Sequence, residues 1–205
     1  LPKDPPARQY DLSLGSPLLE TPLVNDALLA LRLLAHGLDF ADLSTLLRSP
    51  FLGGGESDYL AHCALEASFR EWPERRIQAH GLRRAAKQPC PGLARRLEKA
   101  ERALKTRPAS PATWSSRFRD ALSAMGWPGE RALDSHEYQQ SQRFRDLVDE
   151  LPSLETVSPM MDAQLALGSL AAMARRTTFQ PAGNAAPAIQ VMGLLEADGQ
   201  TFDGL

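Results

Sequence analysis

Three arginine doublets, Arg75-Arg76, Arg83-Arg84 and Arg95-Arg96, are the residues of this chain best suited to engaging another molecule. Between positions 70 and 107 there are 12 Lys and Arg against 4 Asp and Glu, a local charge of +8 in a chain whose formal net charge is −2. Cations at this density can lie along a phosphate backbone, where they displace counterions and give salt-dependent, sequence-independent affinity. Trp72 and Trp114 flank the stretch and could stack on bases, although their helical register favours the core. The six arginines are the expected nucleic-acid-binding residues. The competing reading is a solvated basic face that balances acidic neighbours.

Other chemistry is poorly represented. Gly53-Gly54-Gly55 reads as a flexible turn, because no strand precedes it and no Gly-Lys-Ser/Thr follows it, as a phosphate-binding loop requires. The histidines at 36, 62, 80 and 136 are far apart. His62 and Cys63 are adjacent rather than at metal spacing, and neither Cys63 nor Cys90 belongs to a Cys-x-x-Cys pair, so no metal site is expected. Ser13-Leu14-Gly15-Ser16 lacks the flanking glycines of a nucleophile elbow. Asp39, Glu56 and Asp134 sit where helix caps and dipole partners belong. We therefore expect no catalytic residue and no cofactor, and the segment is not expected to be an enzyme by itself.

These residues need a scaffold, and the sequence points to a mainly α one. The chain has 205 residues, 43% hydrophobic and 23% charged, which fits a globular body. Two cysteines exclude a disulfide scaffold, and reduced thiols suit the cytoplasm. No apolar run approaches the roughly 20 residues of a membrane span, and no signal peptide is visible. Leu1 is not an initiator Met, so the chain is expected to be a piece of something longer.

Residues 1–20, rich in Pro, read as an extended lead-in. Residues 21–178 read as about eight helices. Thr21-Pro22 opens the first, with Leu23, Ala27, Leu28, Leu31 and Leu34 on one face and Gly37 as its stop. Asp39 caps the second, which Ser49-Pro50 ends. A third runs from about Glu56 to Trp72, with Leu60, Ala64, Phe69 and Trp72 available for packing, and Pro73 breaks it. Helical pattern resumes to about Lys87, then from Leu93 to Lys105. Ser110-Pro111 opens a helix carrying Trp114, Phe118, Leu122 and Met125. Asp134 and Glu137 have capping-box spacing ahead of Tyr138, Phe144, Leu147, Val148 and Leu151. Ser158-Pro159 opens the last helix, through Leu165, Leu167, Leu170 and Met173. Residues 179–205 then read as a loop and a short strand at Ile189, Val191 and Met192. A lone strand cannot satisfy its ladder hydrogen bonds. It must pair with the lead-in or with a sheet outside this chain.

Two segments carry a family likeness. Tyr10-Asp11-Leu12-Ser13-Leu14-Gly15, Pro17-Leu18, the Leu-rich helix and Leu46-Leu47-Arg48-Ser49-Pro50-Phe51-Leu52-Gly53 resemble the helical insertion in the second motor half of AddB/RecB-like proteins. These belong to the UvrD-type superfamily 1 helicases. Residues 189–202 are similar to helicase motif V: Met192, Gly199 and Phe202 fit, while Gly193, Leu195 and Asp198 stand where Thr, His and Lys belong. The resemblance thus implies a degenerate helicase-like segment of a bacterial DNA repair protein or exonuclease, whose PD-(D/E)XK nuclease lies outside this chain. It further implies that the helices form a 2B-like subdomain and that the strand belongs to a truncated RecA-like lobe.

The function expected is that of a non-catalytic helical segment of a DNA repair and recombination protein, shaping a DNA channel and contacting phosphates. Its expected partners are DNA and the remaining domains of the parent chain, with no membrane. The alternative is a structural or protein-interaction module without DNA contact, using an apolar face against the rest of its own chain.

Overall fold

In the computed structural model, which describes residues 10–12, 15–70, 76–180 and 189–191, the Leu-rich stretch after Thr21 forms the central helix, α1 (Pro22–His36). Ten of its fifteen residues are buried, and a helix apolar over most of its circumference belongs inside a core. It is followed by α2 (Phe40–Leu47), α3 (Tyr59–Phe69), α4 (Ala79–Ala86), α5 (Pro91–Leu104), α6 (Pro111–Met125), α7 (Ser135–Glu150) and α8 (Ala163–Arg176). The fold is therefore mainly α, as expected. Helices α2, α5, α6, α7 and α8 all pack against α1, and α5 lies most extensively against α6. Trp114 and Phe118 of α6 lie with their rings tilted and centroids 5.4 Å apart, and Trp127 meets Phe144 of α7 edge-on at 5.7 Å.

Local cap chemistry sets most of the boundaries. Asp39 accepts from the Asp42 amide, Ser110 from Thr113, and Asp134 and Glu137 complete a reciprocal capping box. Thr21 holds the N-cap position of α1, but its hydroxyl donates back to the Leu18 carbonyl at 2.8 Å. That bond closes a 3₁₀ turn over Leu18–Glu20 and seats Leu18 in the core, a fold within the expected lead-in.

Some expectations need correction. Helix α3 is shorter than expected and buries His62, Leu65, Glu66 and Phe69, while Leu60 is 81% exposed and Ala64 faces solvent. Helix α8 starts after Asp162, whose side chain caps Leu165, rather than after Ser158. Met161 is drawn instead into a bridge with Ala109 and accepts the Trp114 indole N–H at 2.9 Å. Tyr138 and Leu165 point outward.

The C-terminal strand, β4 (Ile189–Val191), pairs with the lead-in. It lies parallel to β1 (Tyr10–Leu12) in the register Tyr10↔Ile189, so the helical body is itself the crossover that a parallel pair requires. A second pair, β2 (Ser16–Pro17) against β3 (Thr178–Phe179), is antiparallel and carries no sequence signal at two residues each. Trp72, Pro73 and Arg75 lie outside the described residues, as do the loop at 181–187 and Met192, Gly193, Leu195, Asp198, Gly199 and Phe202.

Candidate nucleic-acid interface

Helices α4 and α5 follow one another with a four-residue connection, and the structure divides the arginine doublets between two environments there. Arg75 lies outside the described residues. Arg76 donates to the carbonyls of His36 and Gly37 at 3.4 Å, satisfying the C-terminal end of α1. Burial, and then the Arg76 and Arg32 charges, holds the His36 imidazole below its usual value. Arg83 pairs with Glu101 of α5 at 2.7 Å. Arg96 turns inward. Arg84 and Arg95 remain exposed, with no acidic partner among the described residues.

Helical geometry explains the split. Leu93, Ala94, Leu97, Ala100 and Leu104 form the buried stripe of α5. Arg95, Lys99 and Arg102, at i, i+4 and i+7, fall within about 60° of arc on the opposite side. Arg102 is paired with Glu98; Lys99 has no such partner among the described residues. On α4, Ala79, Leu82 and Ala86 face inward, leaving Arg84 outside and Lys87 exposed just beyond the helix. Lys105 and Arg107 continue the exposed series after α5. They converge with Arg117 of α6 on a cleft floored by Leu34 and Leu104. There Arg117 lies 4.8 Å over the Trp114 ring and donates to the Arg107 carbonyl at 2.6 Å, so its position is fixed. Trp114 is fully buried and cannot stack on a base.

The inward arginine anchors the three glycines. Arg96 Nη2 donates to Glu130 Oε1 at 2.9 Å, and the same oxygen accepts the Gly54 amide at 2.8 Å. Ser57 donates to Glu130 Oε2 at 3.2 Å. The Gly54 amide first, with help from Ser57 and Arg96, holds the Glu130 carboxyl below the usual range. Gly53 donates to the Met125 carbonyl at 3.0 Å, and a Cβ there would lie 2.4 Å from Arg96 Nε. The turn is thus a packed seat for a guanidinium, buried throughout, and not the free loop the sequence suggested. No family model, curated protein or solved structure matches this chain.

Sequence reasoning singled out doublets and so passed over Lys87, Lys99, Lys105 and Arg107. The signal that finds them is the helical period of cations opposite an apolar stripe, combined with the scarcity of acids to pair them. It also counted Arg83 and Arg96 as available, although each is engaged with carboxylates of the same chain.

Proposed function

We propose that this helical body is a non-catalytic DNA-contacting unit, with the outer face of α4, α5 and the segment after α5 lying along the phosphate backbone. One observation carries the reading: Arg84, Lys87, Arg95, Lys99, Lys105 and Arg107 are exposed and unmatched by acidic partners among the described residues. Cations kept out of internal pairs are free to neutralise phosphates and release counterions. The likeness to AddB/RecB-like helicases supports placing the unit in a DNA repair machine, where it would shape the DNA channel. Cys63 and Cys90 are free, which suits a reducing, cytoplasmic setting. No helix of the described residues is long and apolar enough to cross a membrane.

Fluorescence anisotropy with a labelled forked DNA, titrated between about 50 and 200 mM salt, tests the proposal. The combined Arg84→Glu, Arg95→Glu, Lys99→Glu variant is expected to bind at least about tenfold more weakly and to flatten the salt slope by roughly 2–3, near 0.9 per lost duplex contact. Unchanged affinity and slope would remove the idea. A second reading, a module docking on other domains of its parent, draws on exposed Leu60, Val157, Met160 and Leu165. It gains if the parent sequence binds no DNA at the lower salt.

A further inference from the structure

A cluster of three potential ligand side chains, Asp58, His62 and Cys90, lies where α3 and α5 meet. Asp58 immediately precedes α3, His62 follows one turn later, and Cys90 immediately precedes α5. The i, i+4 spacing puts Asp58 and His62 on one side of their helix, and the packing brings Cys90 to them. One ligand atom from each residue lies within 4.8 Å of the other two.

The histidine carries the argument. His62 is 3% exposed, and its Nδ1 sits 3.1 Å from the Leu47 carbonyl. A carbonyl only accepts, so Nδ1 bears the proton and Nε2 presents a lone pair. That Nε2 is buried and has no hydrogen-bond partner among the described residues. A buried acceptor left unsatisfied is destabilising unless something occupies its lone pair. Locking of the tautomer by a backbone carbonyl on the far nitrogen is the usual arrangement of a metal-binding imidazole.

Two metal-free readings fail on the same geometry. A cysteine nucleophile with a histidine base needs substrate access, but Cys90 is 1% exposed. Packing as an ordinary polar core leaves Nε2 unanswered.

We propose that Asp58, His62 and Cys90 are ligands of a zinc-type divalent metal, with Asp58 at the solvent-facing edge and a water completing the tetrahedron. Thiolate, imidazole and carboxylate together suit zinc or cobalt, whereas magnesium and calcium take oxygen donors. The charges balance: the carboxylate and thiolate neutralise the dication, and Arg96, 3.8 Å from Asp58 Oδ2, keeps Glu130 as its own counterion. Binding converts the Cys90 thiol to thiolate and releases one proton per ion. The ion would tie α3 to α5, a structural role independent of DNA contact. No short sequence motif reveals the site, because His62 and Cys90 are brought together only by the fold.

Cobalt titration of the reduced chain is the test. One equivalent of Co²⁺ should bind with tetrahedral visible bands and a near-ultraviolet thiolate-to-cobalt band, all displaced by Zn²⁺, and saturating Zn²⁺ should raise the melting temperature. Cys90→Ser should abolish the thiolate band, and His62→Gln should weaken Zn²⁺ binding at least about 100-fold. Cys63→Ser, which alters the neighbouring thiol outside the cluster, should leave both unchanged. Absence of stoichiometric Co²⁺ binding by the parent sequence would overturn the proposal, whatever the fate of the variants. A thiolate band that survives Cys90→Ser or vanishes in Cys63→Ser would do the same.

Discussion

On α5 the neighbouring residues Arg95 and Arg96 look out on different environments. Arg95 stands in solvent opposite the apolar stripe, in no ion pair among the described residues. Arg96, one residue and about 100° further around the helix, enters a seat made by the glycine turn, Glu130 and Asp58. Residue type and sequence neighbourhood are the same, so rotational position alone separates a charge offered to a partner from one consumed by the fold. The same division separates Arg84 from Arg83 on α4. A doublet on a helix flank therefore leaves about half its charge unpaired at the surface here.

The strongest way to break this comparison is to close the seat from behind. Gly126 ends α6 in the left-handed region at φ +77°, and a Cβ there would lie 2.7 Å from the Gly53 Cα. Gly126→Val forces a β-branched residue into that conformation and a methyl-rich side chain onto backbone. Left-handed strain and overpacking together should cost about 2–5 kcal/mol, read by urea denaturation. A loss below about 0.5 kcal/mol would mean that the seat is not tightly packed.

Legibility from sequence followed the range of the interactions involved. Asp39, Ser110 and Asp134 cap their helices as the sequence suggested, because a cap is decided within four residues. Trp114, Phe118, Leu122 and Met125 lie in the core as their spacing required. The start of α8 was misplaced because Ser158-Pro159 carries a sound local signal that loses to a distant one. The Trp114 indole and the Ala109 bridge claim Met161 across 47 and 52 residues. The Arg96 seat was hidden for the same reason, since the Gly54–Glu130 bond spans 76 residues. Asp58, His62 and Cys90 form no motif until α3 and α5 pack. A pattern along the chain exposes what neighbours decide, and these sites are decided by the tertiary fold.

A smaller effect sharpens the contrast directly. Arg96→Ala should destabilise by about 1–3 kcal/mol, because it empties the seat lined by the glycine turn. Arg95→Ala should change stability by less than about 0.5 kcal/mol, while weakening DNA binding. A crossed result, with Arg95 mattering to folding and Arg96 to binding, would reverse the assignment of the two faces.

The smallest expected effect is one of sign, and it compares two carboxyls. Glu130 is held below the usual carboxyl range, chiefly by the Gly54 amide. Its folded form therefore binds a proton less readily than the unfolded chain, so its contribution is present above about pH 4 and fades as pH falls through the depressed value. Glu130 is largely solvent-exposed, which keeps that contribution small. Asp26, buried in α1, is pushed above the usual range by desolvation, with Ser49 and Asn25 pulling part of the way back. Its folded form binds the proton more readily, so its contribution is present below about pH 4 and fades as pH rises through the elevated value. Urea melts from pH 3 to 7 should then separate the variants. Relative to the parent, Glu130→Gln loses stability as pH rises, whereas Asp26→Asn gains it. Parallel rather than opposite trends would show that the two carboxyls share an environment, and the inner side would no longer divide into a charge held by donors and a charge held by burial.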